Sequence, residues 1–171
     1  MRVLGIDPGS RVTGYGVVEV NAGDSRYVGS GCIRTGEAAL HERLKIIFDG
    51  LSQVIAEVRP DEVAIEAVFM NRNADSALKL GRAQGAAMCA AVNQSLAVTE
   101  YTPAQIKQAV VGKGNAAKTQ IQHMVKILLG LSASPQADAS DALAVALTHV
   151  HIRQTLNRVS RVHAFRQGRM R

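Results

Sequence analysis

The stretch that most limits what this chain can fold into is its beginning, Val3-Leu4-Gly5-Ile6-Asp7-Pro8-Gly9-Ser10. A short apolar run closed by turn residues reads as a strand buried in a sheet, and Pro8-Gly9 turns the chain sharply straight after it. Asp7 therefore stands where a core strand reaches the surface. A hairpin is expected next: Thr13 to Val20, a turn at Asn21-Ala22-Gly23-Asp24, then Tyr27 to Arg34. A carboxylate in this setting has three readings. It holds a divalent metal, since hard cations prefer carboxylate oxygens; or the turn and hairpin cradle a phosphate through backbone amides; or the carboxylate caps the turn.

The rest of the chain alternates helix and strand. Leu40, Leu44, Ile47, Phe48, Leu51, Val54, Ile55 and Val58 form a helical stripe, which predicts a helix over 40–58 ended by Pro60. Glu62 to Val68 reads as a strand with Glu66 near its end, as Asp7 ends the first. Acids in apolar strands are unfavourable unless paired, protonated or bound to metal. If the two strands are neighbours, a shared metal explains both acids. In the loop Phe69-Met70-Asn71-Arg72-Asn73, Phe69 is either ordinary core or an exposed wedge that stacks on a base. A helix over about 75–93 is rich in Ala and Gly, which suits close packing against another helix or a partner subunit, with simple core packing as the commoner alternative. A short strand, Ala97 to Tyr101, leads to Thr102-Pro103, a helix start with Thr as cap. Gly112-Lys113-Gly114-Asn115 breaks that helix and is too short and irregular for a Walker phosphate loop. A further helix runs from about Ala117 to Leu129. Ser134-Pro135 opens the last core helix, Ala137 to about Val150, which carries Asp138 and Asp141 on one face. Asp138 also suits the first turn as a cap against the dipole. Small neighbours, Ala137, Ala139, Ser140 and Ala142, let this helix lie close to a sheet. The element order predicts an α/β fold: a mixed sheet of five strands, an antiparallel hairpin beside parallel strands, flanked by helices. Ligands of such sheets gather at the strand carboxyl ends.

Charge is concentrated rather than spread. Of 171 residues, 20 are basic and 14 acidic, a formal net charge of +6. From Val150 to the end there are six arginines and no acid, so the body is neutral and the tail carries the excess. Between Thr102 and Ala137 the charged residues are Lys107, Lys113, Lys118 and Lys126 alone. Two acid-free basic stretches point to a polyanionic partner, nucleic acid. For the tail, the plainer alternative is a solubilising end. Cys32 and Cys89 have no metal-ligand spacing and read as small buried hydrophobes in a reducing cytosol. No Cys or Ser-His-Asp nucleophile is visible, and the five histidines lack ligand spacing and read mostly as surface residues. No apolar run nears the roughly 18 residues of a membrane span, and the N-terminus lacks a signal-peptide pattern, so a cytoplasmic protein is expected.

Four acids then stand out: Asp7, Glu66, Asp138 and Asp141. Crowded together they repel and take up protons; two divalent cations relieve that conflict and suit phosphodiester hydrolysis. Gly5-Ile6-Asp7-Pro8-Gly9-Ser10, Thr13-Gly14-Tyr15-Gly16, Ala64-Ile65-Glu66, Asn73-Ala74-Asp75-Ser76-Ala77 and Pro135-Gln136-Ala137-Asp138-Ala139-Ser140-Asp141-Ala142 closely resemble the bacterial RuvC family of Holliday-junction resolvases. The resemblance spans residues 1 to about 150. It implies an RNase H-like nuclease domain over 1–150, with 151–171 as a basic C-terminal tail, and a homodimer that nicks four-way DNA junctions symmetrically to leave 5′-phosphate and 3′-hydroxyl ends. It implies two Mg²⁺ per subunit, with Mn²⁺ as substitute, held by the four acids. It also implies that Phe69 stacks on a base, that Lys107 and Lys118 contact DNA, and that the protein works with the RuvA–RuvB branch-migration complex. Arg72, from the Phe69 loop, and Lys113, from the lysine run, join the candidate DNA contacts. The turn at Asp7-Pro8-Gly9-Ser10 with Thr13-Gly14 also resembles the first phosphate hairpin of actin-like ATPases. Those need two lobes and a second such hairpin, which the chain lacks. A non-catalytic junction-binding protein is the other alternative; the full set of acids speaks against it.

Overall fold

The computed structural model describes residues 1–68 and 74–168, with side chains as far as residue 160. Among the described residues the chain runs β1 (Arg2–Asp7), β2 (Val12–Asn21), β3 (Asp24–Arg34), α1 (Leu40–Val58), β4 (Glu62–Glu66), α2 (Ala74–Val92), β5 (Val98–Tyr101), α3 (Pro103–Val111), α4 (Lys118–Leu128) and α5 (Ala137–Gly168). The strands form one mixed sheet in the order β3-β2-β1-β4-β5. The first three pair antiparallel, while β1–β4 and β4–β5 are parallel. The predicted fold class is the one observed. The hairpin turns tightly: Asn21 pairs with Asp24, and Ala22 and Gly23 both take positive φ, 52° and 102°, as a two-residue primed turn requires.

The pleat sends alternate residues to opposite faces. Leu4, Ile6, Val63 and Ile65 face α1 and α2, packing with Ile47, Leu51, Ile55, Ala83 and Ala87. Val3, Val18 and Ala64 face α3, α4 and α5, packing with Ile106, Ile121, Leu143 and Leu147. The small residues of α2 thus lie against the sheet-and-α1 side of the core. Thr102 caps α3 as expected, accepting the Gln105 N–H at 3.2 Å.

The sheet face under α5 is built from glycine. Added Cβ atoms would stand 2.1 Å from the Ala142 carbonyl oxygen at Gly5, 2.0 Å from that of Asp138 at Gly14, and 2.6 Å from the Leu143 side chain at Gly16. Backbone atoms cannot yield as a side-chain tip can. Three sequence expectations need correction. The last helix does not end near Val150 but continues to Gly168, because nothing in 151–168 breaks it. Neither cysteine is fully buried: Cys32 is half-buried and Cys89 exposed on α2. His149 is 5% exposed rather than on the surface.

Gly5→Ala is expected to cost about 3 kcal/mol by overpacking, lowering the melting midpoint by roughly 6–12 °C for a chain of this size. Gly29→Ala, where an added Cβ meets nothing within 4 Å, should leave the midpoint unchanged. Thermal unfolding of the two variants beside the parent protein checks the pair.

Candidate active site

Asp7 is the last residue of β1, and the chain is pinned as it leaves. The buried Thr13 hydroxyl donates to the Gly9 carbonyl at 2.9 Å, the Thr35 N–H donates to the Arg11 carbonyl at 3.0 Å, and the Thr35 hydroxyl donates to the Ser10 carbonyl at 3.0 Å. The Pro8–Arg11 turn is therefore clamped by Thr13 of β2 and by Thr35, the residue that follows β3. Ile6 pairs with Ile65 in the parallel β1–β4 ladder, so Asp7 and Glu66 leave neighbouring strand ends on the same face. That adjacency was an inference from sequence, and the register bears it out. Opposite Asp7 on β2 stands Gly14, whose missing side chain leaves room for the first turn of α5. Asp138 and Asp141 arrive there.

Asp7, Glu66 and Asp141 line a cleft of about 360 Å³ together with Lys107, Lys118, Pro103 and Ile106. Asp138 lies just beyond this lining, yet its charge is felt by Asp7. Burial, then the charges of Glu66, Asp141 and Asp138, push the Asp7 carboxyl up to about 8, against a smaller pull from Lys118. Burial and Asp141 likewise raise Glu66, with Lys118 and Lys107 opposing. The Lys118 ammonium sits 2.5 Å from an Asp141 oxygen, and that hydrogen bond holds its own pKa above the usual lysine value. Positive charge is thus in demand here, and Lys118 and Lys107 meet part of it. Among the described residues no group of three or more Asp, Glu, His or Cys side chains is drawn into metal-ligand spacing; Lys118 takes one Asp141 oxygen instead. The donor set fits hard divalent cations: four carboxylates, with neither sulfur nor imidazole among them.

The other sequence candidates separate. Lys107, half-buried on α3, and Lys118, at the start of α4, both reach the cleft. Lys113 is exposed in the turn between α3 and α4 and does not line it. Phe69 and Arg72 lie outside the described residues. A network that sequence reasoning missed lies between α5 and the sheet face that the helix covers. Glu62 at the start of β4 meets His149 Nε2 at 2.6 Å and the Arg153 guanidinium, while Tyr101 Oη lies 3.0 Å from His149 Nδ1. An ionised Glu62 only accepts, so Nε2 carries a hydrogen and Nδ1 of a neutral ring accepts from tyrosine. This ties the middle of α5 to β4 and β5. Its signal was available: His149 falls on the helix face of Ala142, Leu143 and Ala146, the face that turns inward.

A carboxylate cleft at strand carboxyl ends, bordered by lysines from an acid-free stretch, is matched by descent. The family model described as crossover junction endodeoxyribonuclease RuvC matches residues 3–149. The chain belongs to the RuvC family. The crossover junction endodeoxyribonuclease RuvC of Aeromonas hydrophila is 64% identical over 154 residues, covering 90% of this chain and 89% of that one. Its counterpart in Hahella chejuensis is 58% identical over 171 residues, covering 100% and 99%. The solved structure of T. thermophilus RuvC in complex with Holliday junction substrate superposes with a TM-score of 0.84 at 38% identity, covering 91% of this chain and 96% of that one. The sheet order and flanking helices are those of the RNase H-like fold of RuvC. The RuvC match ends at residue 149, where α5 still has more than four turns to run.

The raised pKa of Asp7 has a direct consequence for stability without metal. The folded state holds a proton on Asp7 between about pH 4 and pH 8 that the unfolded chain, with its ordinary value of 3.8, has lost. Stability therefore falls as pH rises through that window. Asp7→Asn, neutral throughout, should raise the melting midpoint of EDTA-treated protein by about 5 °C or more at pH 9 and by little at pH 4.5. Differential scanning calorimetry across pH checks it; an equal gain at both pH values would detach Asp7 from this charge cluster.

Proposed function

We propose that this chain is a Holliday-junction resolvase, a metal-dependent endonuclease that nicks two strands of a four-way DNA junction symmetrically and leaves 5′-phosphate and 3′-hydroxyl ends. Membership of the RuvC family supports the substrate, and the observation that carries the chemistry is the convergence of Asp7, Glu66 and Asp141 on one cleft with Asp138 beside them. In this reading the four carboxylates hold two Mg²⁺ per subunit, or Mn²⁺ in its place. The ions would supply water activation and stabilisation of the leaving 3′ oxygen. Asp7 and Glu66, fixed on the rigid ends of β1 and β4, set the position of the scissile phosphate. Lys118 neutralises the acids until substrate arrives and, with Lys107, binds the phosphate backbone beside the cut. Burial of the carboxylates keeps bulk water from competing, which strengthens every charge interaction in the cleft.

The reading extends to assembly. A homodimer would supply two active sites related by a two-fold axis, matching a two-fold target. Leu78 and Val92, each 62% exposed on the outer side of α2, support that helix as the dimer face. Residues 1–150 form the nuclease domain in this reading, and 151–171, helical as far as Gly168, form a basic extension for DNA. Phe69, Arg72 and Lys113 remain proposed DNA contacts on the strength of the family resemblance and the basic lysine run, as does partnership with the RuvA–RuvB complex. A cytoplasmic location accords with two free cysteines; among the described residues no helix is long and apolar enough to cross a membrane.

A synthetic four-way junction with end-labelled strands, incubated with Mg²⁺ or EDTA beside linear duplex of the same sequence, tests the activity. The parent protein should give paired, ligatable nicks in the junction alone and only with metal. Asp7→Asn should lower the nicking rate by at least a thousandfold while junction affinity changes less than threefold, because phosphate contacts carry most of the affinity. Cutting of linear duplex at the same rate would make the protein a general nuclease. For assembly, light scattering should report a dimer for the parent and a monomer for Leu78→Glu/Val92→Glu; a monomeric parent rules out the dimer.

A further inference from the structure

We propose that a second cleft, between the end of β3 and the turn preceding α5, is a phosphodiester-binding site in which Arg34 holds a phosphate of the strand being cut, on the side of the scissile bond opposite to Lys107 and Lys118. The proposal rests on the resolvase reading and adds to it a second contact that fixes the direction of the strand.

The cleft measures about 500 Å³ and is lined by Tyr27, Ser30, Cys32, Arg34, Ser134 and Gln136, among others, with no acid in its walls. Its inner end reaches the first turn of α5 at Ala139, one residue from Asp138. The strand register gives its distance from the carboxylates. Asp7 pairs with Gly14 and Gly14 with Cys32, so the three lie in one row, and two strand spacings amount to about 10 Å. Arg34 stands two residues beyond Cys32 and so on the same face of the sheet, which is the face that α5 covers.

The two clefts flank α5. One lies towards β4, α3 and α4 and contains Lys107 and Lys118; the other lies towards the β3 edge and contains Arg34. A strand that presents a phosphate to Asp7 and leaves the lysine side runs on into the arginine side. Arg34 is prepared for that. Its guanidinium donates to the Gln136 side-chain oxygen at 3.0 Å, which orients the fork, and among the described residues no carboxylate pairs with it. A planar fork with unspent N–H groups in an acid-free cleft suits phosphate. Ser132 and Ser134 add hydroxyl donors at the rim.

The test uses full-length protein and four-way junctions carrying a single neutral methylphosphonate at each of the positions flanking the cut in turn. Nicking rate with Mg²⁺ and junction affinity in EDTA are measured for the parent, Arg34→Ala and Lys118→Ala, after calorimetry has shown unchanged folding of Arg34→Ala. Arg34→Ala should slow nicking about tenfold, with Arg34→Lys partly restoring it. At one position the methylphosphonate should slow the parent but not slow Arg34→Ala further. The position that loses its effect in Lys118→Ala should lie on the other side of the cut. Additive effects of Arg34→Ala at every position, or coupling on the same side as Lys118, would overturn the proposal. A parent protein that binds junctions without cutting them ends the resolvase reading alone; the same coupling, read from affinity, then still decides the role of Arg34. A parent that binds no junction overturns both.

Discussion

The close approach of α5 to the first two strands is the contact on which everything else in this molecule depends. Gly5, Gly14 and Gly16 offer hydrogen where other residues offer a side chain, and the carbonyls of Asp138 and Ala142 and the body of Leu143 fill that room. The helix is held at a distance set by backbone against backbone, with Ala142, Leu143, Ala146 and Leu147 sealed beneath it. Gly14 is also the ladder partner of Asp7. One missing side chain thereby fixes both the seat of the helix and the meeting of acids from β1, β4 and α5. Contacts of this kind have little slack, which suits a site whose chemistry requires carboxylates held to a fraction of an ångström.

That seat works against stability where the acids meet. A carboxyl pushed up to about 8 by burial and like charge costs folding energy whenever it is ionised. The Lys118–Asp141 pair offsets only part of this, since Lys118 is more than half exposed and its pairing is screened by solvent. The core on both sheet faces carries the remainder. The Glu62–His149–Tyr101 network ties the middle of α5 to β4 and β5, so hydrogen bonds hold the helix about three turns beyond the strained charges of its first turns.

Much of this was readable from the residues. A run of apolar residues ending in Asp before Pro-Gly identifies a buried strand and its exit, and the α1 stripe and the Thr102 cap are local signals that the tertiary structure left intact. The acids were legible because a carboxylate at the end of an apolar strand needs a partner, and the family motifs then grouped all four. Less local matters were hidden. Residues 151–168 read as a tail because their Asp, Glu, Lys and Arg positions are all arginine, whereas helix continuation depends on the absence of breakers rather than on charge. His149 looked like one more surface histidine because its partners, Glu62 and Tyr101, lie 87 and 48 positions away. Cys32 looked like core because composition does not show that its strand lies at the sheet edge, beside a cleft. The Arg34 cleft joins segments about a hundred residues apart in sequence, which no local pattern shows.

The 32 residues of α5 extend for roughly 48 Å at the rise of an α-helix, with two of the acids in its first turns and the arginine-rich run in its last. Because no glycine or proline interrupts it before Gly168, it behaves as a ruler. Its far end is therefore held at a set separation and angle from Asp138 and Asp141. A change of one residue in the middle of α5 would rotate one end against the other by about 100° and displace it by about 1.5 Å. The spacing of the two ends is thus counted in residues, so insertions or deletions there are far more disruptive than substitutions.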